Sequence, residues 1–359
     1  MKSAVKKQKL IILLSLTLVL LAVWVIKSMV FPSFHPSALV RYQGTTELGP
    51  IDLQWDEERG YGTLSLSDGS RSWHVNQNNS KGGNEWQVTP FRTTAENTQG
   101  LLTWPDGIDK VPTAGLWTMT PGTDPEKIQL STATRYEEIS ISSGFLFGKR
   151  GLKKTLRIRL EPMSDLDPWQ ESVISKIRLL IPVGARSTFF KGAYKEAWQF
   201  FRQPTAANKW WQHWTFTRSF QNKNLLSLQG MYHEYTGGAH GNLFYKPVNA
   251  YRTENTQPIF GLEDLFDPAL PAEQTLSELC IEALTNQGAS EVTQGNLTAL
   301  NFAEMYAFTF DETRLSIHFA PYAVASYAEG SFTVSIPSDK IIHLLSDQGP
   351  GKFLKEVWQ

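Results

Sequence analysis

The runs Ile51-Asp52-Leu53-Gln54-Trp55 and Thr63-Leu64-Ser65-Leu66-Ser67 alternate apolar and polar residues. This alternation is typical of β-strands that bury one face. Between about residues 40 and 150 the sequence is rich in Gly, Thr, Ser and Trp, and turn formers such as Asp68-Gly69 and Pro121-Gly122 separate the runs. Because no helical apolar period interrupts this region, we predict an all-β antiparallel, barrel-like module over residues 40–150.

The sequence Gly115-Leu116-Trp117 predicts a packing site within this module. The ring of Trp117 would enter the interior of the sheet, next to a glycine that lets a neighbouring group approach closely. Large aromatic rings are mostly buried, so we interpret Trp117 as a core residue.

After Gly151 the pattern changes and helical spacing appears. Asp167-Pro168 is typical of a helix start, with Asp as the cap and Pro at the first position. Phe190 to Phe201 has the apolar spacing of a second helix, and Ala272 to Asn286 that of a third. The apolar stripe of this third helix includes Cys280, which we therefore expect to be buried.

Strand-like runs accompany these helices. They lie at residues 214–220, 225–235, 243–251, 306–310, 315–319 and 332–336, before a short helix near 338–345. We predict an α+β domain with a mixed or antiparallel sheet over residues 151–346 and a C-terminal tail at residues 347–359. His318 alternates with apolar neighbours, which predicts that it lies on the solvent face of its strand.

Composition excludes several functional classes. The 359 residues carry 34 Lys and Arg against 35 Asp and Glu, so no net positive charge would attract nucleic acid, and we expect no nucleic-acid partner. The single cysteine excludes an internal disulfide and every zinc or iron–sulfur motif that needs several cysteines. The sequence has no Gly-x-Ser-x-Gly, no Walker loop and no Gly-x-Gly-x-x-Gly, so we favour a function without catalysis, metal or cofactor.

The N-terminus has the pattern of a membrane anchor. Residues 10–26 carry no charge and are mostly Leu, Ile and Val, and four lysines precede them. We predict a cytoplasmic tail at residues 1–9, a signal-anchor transmembrane helix at 10–31, and a body on the outer face of the inner (cytoplasmic) membrane. The alternative is a cleaved signal peptide, which would also export the body.

A glycine-rich segment is the sharpest candidate site. It contains Tyr235, Gly237, Gly238 and His240, and its glycines permit positive backbone angles and close approach by another group. The alternatives are a structural turn, a binding loop, and a metal or catalytic site that would use His240 with His233 and Glu234. His-Glu-x-x-His spacing is absent, and residues 233 and 234 are adjacent on a predicted strand, so their side chains should point to opposite faces.

Aromatic residues crowd the segment from Trp198 to Trp214. Most of them should pack in the core. Trp210 and Trp211 are adjacent and cannot both point inward from one strand, so one of them is a candidate for exposure and ligand contact. We include Trp211 among the candidate binding residues.

These residues also carry a family resemblance. The run from Leu226 to Gly241, the segment Phe260 to Phe266, and the closing segment with Pro321-Tyr322-Ala323-Val324-Ala325 and Tyr327-Ala328 resemble the exported domain of the RsiV anti-sigma factors and of PdaC-type deacetylases. This is the domain of unknown function family 3298 with the 4163-type region before it. The resemblance covers about residues 150–346.

The resemblance implies a binding function outside the membrane. In RsiV proteins the domain binds lysozyme, and in PdaC proteins it accompanies a separate catalytic domain. The nine residues before the anchor are fewer than a sigma-binding region needs, and no deacetylase domain follows Gln359, so we expect an anchored exported domain alone. The resemblance implies a lysozyme-like protein or a peptidoglycan fragment as partner, and the loop with Pro321, Tyr322 and Tyr327 as contact. A metal- or histidine-dependent cell-wall enzyme and a scaffold in an envelope complex are the alternatives.

Overall fold

The computed structural model describes residues 33–66, 72–77, 85–90, 100–104, 111–118, 124–143, 153–178, 209–235, 240–253 and 259–359. The predicted tail at 1–9, the predicted anchor at 10–31, the predicted helix at 190–201, Gly237 and Gly238 lie outside the described residues. Within the described ranges, no helix combines the length and the apolar character that crossing a membrane requires.

The first half of the chain is an antiparallel β-barrel, which confirms the predicted class of this module. Each strand pairs with the next along the chain, and the first also pairs with the eighth. The strands are β1 (Ser33–Thr46), β2 (Gly49–Asp56), β3 (Tyr61–Leu66), β4 (Ser72–Gln77), β5 (Glu85–Pro90), β6 (Gly100–Thr103), β7 (Thr113–Thr118) and β8 (Glu126–Ser143).

Gly44 lies where the barrel closes. The β1–β8 register shifts between Gln43 and Gly44. A Cβ atom on Gly44 would collide with the carbonyl group of Gln129 on β8, so only glycine lets the two backbones come this close. Closure pairs both edges of the sheet and leaves no free strand edge in the barrel.

Tryptophan rings fill the barrel interior. Trp55, Trp73, Trp86, Trp104 and Trp117 all belong to its buried core. Trp73 and Trp117 meet edge to face with ring centroids 4.6 Å apart, and Trp117 is fully buried, as predicted. The prediction of close approach at Gly115 is also confirmed, because a Cβ atom there would lie 2.8 Å from the ring of Trp104.

The sheet continues beyond the barrel. The second part of β8 pairs with β9 (Lys153–Leu160), which runs parallel to β10 (Lys209–Gln221), so the larger sheet is mixed. The following strands are β11 (Leu225–Tyr235), β12 (Asn242–Tyr245) and β13 (Val248–Tyr251). Helix α1, residues 168–178, begins at the predicted Pro168. Its Val173, Ile174 and Ile177 belong to the same buried cluster as Ile158 of β9.

The C-terminal part is α+β, as predicted. A three-stranded antiparallel sheet packs its apolar face against helices in the largest buried cluster. The elements are α2 (Ala272–Asn286), α3 (Ser290–Thr293), β14 (Phe308–Phe310), β15 (Arg314–Phe319), β16 (Phe332–Pro337), α4 (Ser338–Ile341) and α5 (Gly349–Trp358). Residues 347–359, predicted as a tail, are mostly this last helix, and Leu354 anchors it because its side chain is fully buried.

The prediction for His318 is wrong. It lies on the polar face of β15 but is buried, and Tyr245 of β12 stacks on it with ring centroids 5.1 Å apart. Its Nε2 is 2.9 Å from Thr309 Oγ1 and its Nδ1 is 3.2 Å from Thr333 Oγ1. Burial lowers the pKa of His318 to about 4, so the ring is neutral at physiological pH.

We expect Cys280 to resist alkylation in the folded protein. It is buried as predicted, and burial raises its thiol pKa from 9.0 to about 12. The thiolate is the reactive form, and three pKa units reduce its population at pH 8 about a thousandfold. Mass spectrometry after iodoacetamide treatment should therefore show modification only upon unfolding. In the matched control, Cys280→Ala with Ala299→Cys, the exposed thiol should react at once; rapid reaction of Cys280 itself would contradict its burial.

Candidate binding cleft

Three β-surfaces meet around a cleft of about 1330 Å³. They are the outer face of barrel strands β1–β3, one face of β10–β12, and the polar face of the sheet β14–β16. Most small-molecule pockets have volumes of roughly 300–1,000 Å³. The cleft therefore has room for an extended ligand such as an oligosaccharide or a peptide.

The β10–β12 face supplies aromatic rings and imidazoles. In the antiparallel pair β10–β11, Trp211 lies opposite Tyr235 and His213 opposite His233. Residues two apart in a strand share a face, and Trp211, His213 and His233 all line the cleft. The centroid of the Trp211 ring is 4.6 Å from that of His213 and 6.4 Å from that of Tyr235.

Arg59 reaches this face from the turn between β2 and β3. Its Nη1 donates to Tyr61 Oη at 2.7 Å, and its Nη2 donates to His213 Nδ1 at 2.8 Å. The guanidinium carbon lies 5.0 Å from the centroid of Trp211, which is cation–π distance. Arg59 thus connects the β2–β3 turn of the barrel to the β10–β12 face.

Both histidines on this face are neutral. Burial is the larger cause and the positive charge of Arg59 the second, and together they lower the pKa of His213 to about 2. The same two causes lower the pKa of His233 to about 4. A neutral imidazole has a nitrogen that accepts a hydrogen bond from arginine, whereas an imidazolium has none. This part of the cleft therefore combines the charge of Arg59 with uncharged rings.

Three further rings, His240, Tyr322 and Tyr327, form what we call the aromatic rim. The centroid of Tyr327 lies 3.7 Å from that of His240 and 5.4 Å from that of Tyr322. Tyr327 Oη donates to the carbonyl oxygen of Gly241 at 2.6 Å. A Cβ atom on Gly241 would lie 3.8 Å from Trp211 Cη2, so the rim continues into the β10–β12 face.

Tyr322 has the features of a contact residue. Its side chain is 65% exposed, and its φ of 73° is in the left-handed region, where bulky residues are rare. Such strained positions cluster at ligand-binding and active sites. The loop that contains Tyr322 therefore holds an exposed ring on a strained backbone.

A buried ion-pair network connects the barrel strands β1, β2 and β8 to β9 and to Glu161, which follows β9. Arg159 of β9 donates to Asp56 Oδ2 at 2.7 Å and to Glu138 Oε2 at 2.9 Å, and all three side chains are about 95% buried or more. Arg41 of β1 donates to Glu161 Oε2 at 3.0 Å. These contacts fix the position of two cleft walls relative to each other.

Comparison with known proteins finds a match to a family model in the C-terminal half of the chain. The family model described as "Protein of unknown function (DUF3298)" matches residues 263–339. Those residues are a DUF3298 domain. No curated protein matches the chain.

Two solved structures of DUF3298 family proteins are similar to the chain. The one from Bacteroides fragilis is 17% identical with a TM-score of 0.46, over 62% of this chain and 97% of that one. The one from Pseudomonas aeruginosa is 17% identical with a TM-score of 0.40, over 59% of this chain and 94% of that one.

The predicted site residues come from both sides of the DUF3298 boundary. Pro321 and Tyr327 of the DUF3298 domain line the cleft, and so does Trp211, which precedes the domain. Tyr235 stacks on Trp211. Of the remaining candidates, His240 and Tyr322 belong to the aromatic rim, and Gly237 and Gly238 lie outside the described residues.

Sequence reasoning missed Arg59 and His213. The side chains are in contact although the residues are 154 positions apart. Arg59 follows two exposed glutamates, of which Glu57 pairs with Arg135 and Glu58 with Arg157. No local pattern distinguishes Arg59 from the surface charges beside it.

The described geometry gives the metal hypothesis little support. His233 faces the cleft, whereas Glu234 accepts a 2.6 Å hydrogen bond from Tyr232 on the opposite face, as strand alternation predicted. His240 stacks in the aromatic rim. Throughout the described part of the chain, no three His, Cys, Asp or Glu side chains gather closely enough to hold a metal ion.

Proposed function

We propose that this chain is a membrane-anchored, exported binding protein whose cleft binds a fragment of the cell wall. The observation that carries the proposal is the cleft itself, about 1330 Å³ in volume, with Trp211 and Tyr327 on its wall. A binding site needs shape, aromatic faces and a few placed polar groups, and all three occur here.

A peptidoglycan fragment fits the chemistry of the lining. Sugar rings present apolar C–H faces that pack on aromatic rings and hydroxyl groups that need hydrogen-bond partners. Next to the rings, the cleft offers amide and hydroxyl side chains from all three walls: Gln54, Gln229, Asn242, Thr309, Ser316 and Ser335. A polar lining of this kind suits a glycan with peptide attached better than a purely apolar ligand.

The envelope location in this proposal comes from the sequence. The uncharged segment at residues 10–26 after four lysines supports an anchor and export. The resemblance to the exported domains of RsiV and PdaC-type proteins supports the same side of the membrane and a cell-wall-related ligand.

A lysozyme-like protein is the second candidate ligand. The observation that favours it is Tyr322, whose exposed ring and strained backbone lie beside Tyr327 at the mouth of the cleft. An exposed aromatic ring next to a groove is a typical anchor of a protein interface. Such a partner would contact the rim, whereas a soluble fragment would contact the interior of the cleft.

We expect Trp211→Ala to weaken binding of a purified disaccharide-peptide fragment of peptidoglycan about tenfold or more, because aromatic anchors contribute most of the energy of such sites. Titration calorimetry with the exported body of the wild type and the variant measures this. The matched control is Tyr306→Ala, which removes a ring that is 48% exposed and lies outside the cleft lining. It should leave affinity unchanged.

Immobilised lysozyme provides the second arm of the same test. Retention on lysozyme that is lost in Tyr322→Ala and kept in Trp211→Ala would assign the rim to a protein partner. If the wild type binds neither the fragment nor lysozyme, the proposed function is wrong.

A further inference from the structure

Among the described residues, four arginines line the cleft, and two of them pair with acidic side chains at hydrogen-bond distance. Arg159 is held by two buried carboxylates, as described above. Arg41 binds both Asp52 and Glu161. Arg218 Nη2 lies 4.0 Å from Glu161. Arg41 and Arg159 are therefore compensated by carboxylates at hydrogen-bond distance, whereas Arg218 has only a longer contact to a carboxylate that also binds Arg41.

Arg59 resembles Arg218 in this respect, and differs from Arg41 and Arg159. Its nearest carboxylate is that of Asp56, whose Oδ2 lies 3.9 Å from Arg59 Nε and accepts a 2.7 Å hydrogen bond from Arg159. The side chains that accept hydrogen bonds from the Arg59 guanidinium are the neutral Tyr61 and His213. Within the described residues, Arg59 has no carboxylate at hydrogen-bond distance.

The guanidinium of Arg59 is also held in place. Tyr61 and His213 each fix one of its terminal nitrogens, and Trp211 packs beside its plane. The Arg59 side chain is 24% exposed, so a ligand in the cleft can reach its guanidinium. The remaining N–H groups of the fork are then available to a ligand with little further loss of conformational entropy.

We propose that Arg59 binds a carboxylate of the ligand, so that the cleft selects an acidic cell-wall fragment over its neutral amide. Arginine forms paired N–H···O bonds with a carboxylate, and these are stronger than bonds between neutral groups. This inference rests on the proposed function. It adds to that function the charge of the ligand and the residue, Arg59, that binds the charged group.

The test compares two ligands and three variants. The ligands are a disaccharide-peptide fragment with free carboxylates and the same fragment with every carboxylate amidated, each titrated into the full-length chain in detergent. Wild type should bind the acid about tenfold to a hundredfold more tightly than the amide. Arg59→Gln should bind the acid and the amide with equal affinity. Arg59→Lys, which keeps the charge without the fork, should fall between.

Arg178→Gln is the matched control, because Arg178 pairs with Glu137 at the surface and lies outside the cleft lining. It should bind both ligands as the wild type does. Equal affinity of the wild type for acid and amide overturns the inference and leaves the proposed function standing. Absence of binding to both ligands overturns this inference and the proposal of a cell-wall fragment as ligand, and leaves lysozyme as the candidate to be tested. The wild-type comparison needs no mutation, so equal affinities overturn the inference even if Arg59→Gln folds poorly; a preference for the acid that Arg59→Gln and Arg59→Lys both retain also overturns it.

Discussion

Replacement of Arg159 by methionine is expected to lower the free energy of unfolding by about 3–5 kcal/mol, the usual cost of removing one member of a buried ion pair. Arg159 donates to Asp56 and to Glu138, and both acids are buried. Methionine fills similar volume, but it leaves both carboxylates without their main donor in a site where water cannot replace it. Urea unfolding followed by far-UV circular dichroism measures the loss.

The control for this prediction is Arg178→Met. Arg178 donates to Glu137 at 2.9 Å, but the two side chains are 40% and 56% exposed. Exposed ion pairs contribute about 0–1 kcal/mol, so the control should lose no more than that. Adding Asp56→Asn and Glu138→Gln to the Arg159→Met variant should recover part of its stability, because the uncompensated charges are then gone. Equal losses in Arg159→Met and Arg178→Met would show that the network is not stabilising the joint.

Local patterns predicted several strands and the helices α1 and α2, but neither β9 nor α5. Alternation in IDLQW at residues 51–55 sets which side chains enter the barrel, and burial of Leu53 and Trp55 follows it. The helix over residues 272–286 has the predicted bounds because its stripe is apolar and Gly288, with a φ of 76°, follows its end. These are properties of neighbours in sequence.

Contacts between distant residues could not be predicted in this way. Closure of the barrel depends on the approach of Gly44 to β8, and no local signal marks that glycine among the others. Burial of His318 involves Tyr245 from another sheet, so alternation alone placed it correctly on the polar face and wrongly in solvent. Alternation assigns a side chain to a face, whereas tertiary packing determines whether that face meets water.

The candidate site divides along the same line. Trp211 and Tyr327 could be named from the sequence because aromatic crowding and a family resemblance single them out, and both line the cleft. Arg59 could not be named from the sequence, since its place in the cleft depends on a contact with His213, which is 154 positions away. Residues that position a ligand by charge are often unremarkable in sequence, because surface arginines are common.

Trp117→Ala should destabilise the barrel by about 3–5 kcal/mol, as expected when a buried tryptophan leaves a cavity. Trp117 is fully buried, and its ring meets that of Trp73 edge to face with centroids 4.6 Å apart. The neighbouring Leu116→Ala is the matched control, because Leu116 is 38% exposed on the outer face of the same strand and should cost about 0.5 kcal/mol or less. Urea unfolding followed by far-UV circular dichroism compares the two. A smaller loss for Trp117→Ala than for Leu116→Ala would reverse the assignment of the strand faces, and with it the barrel interior on which the cleft wall rests.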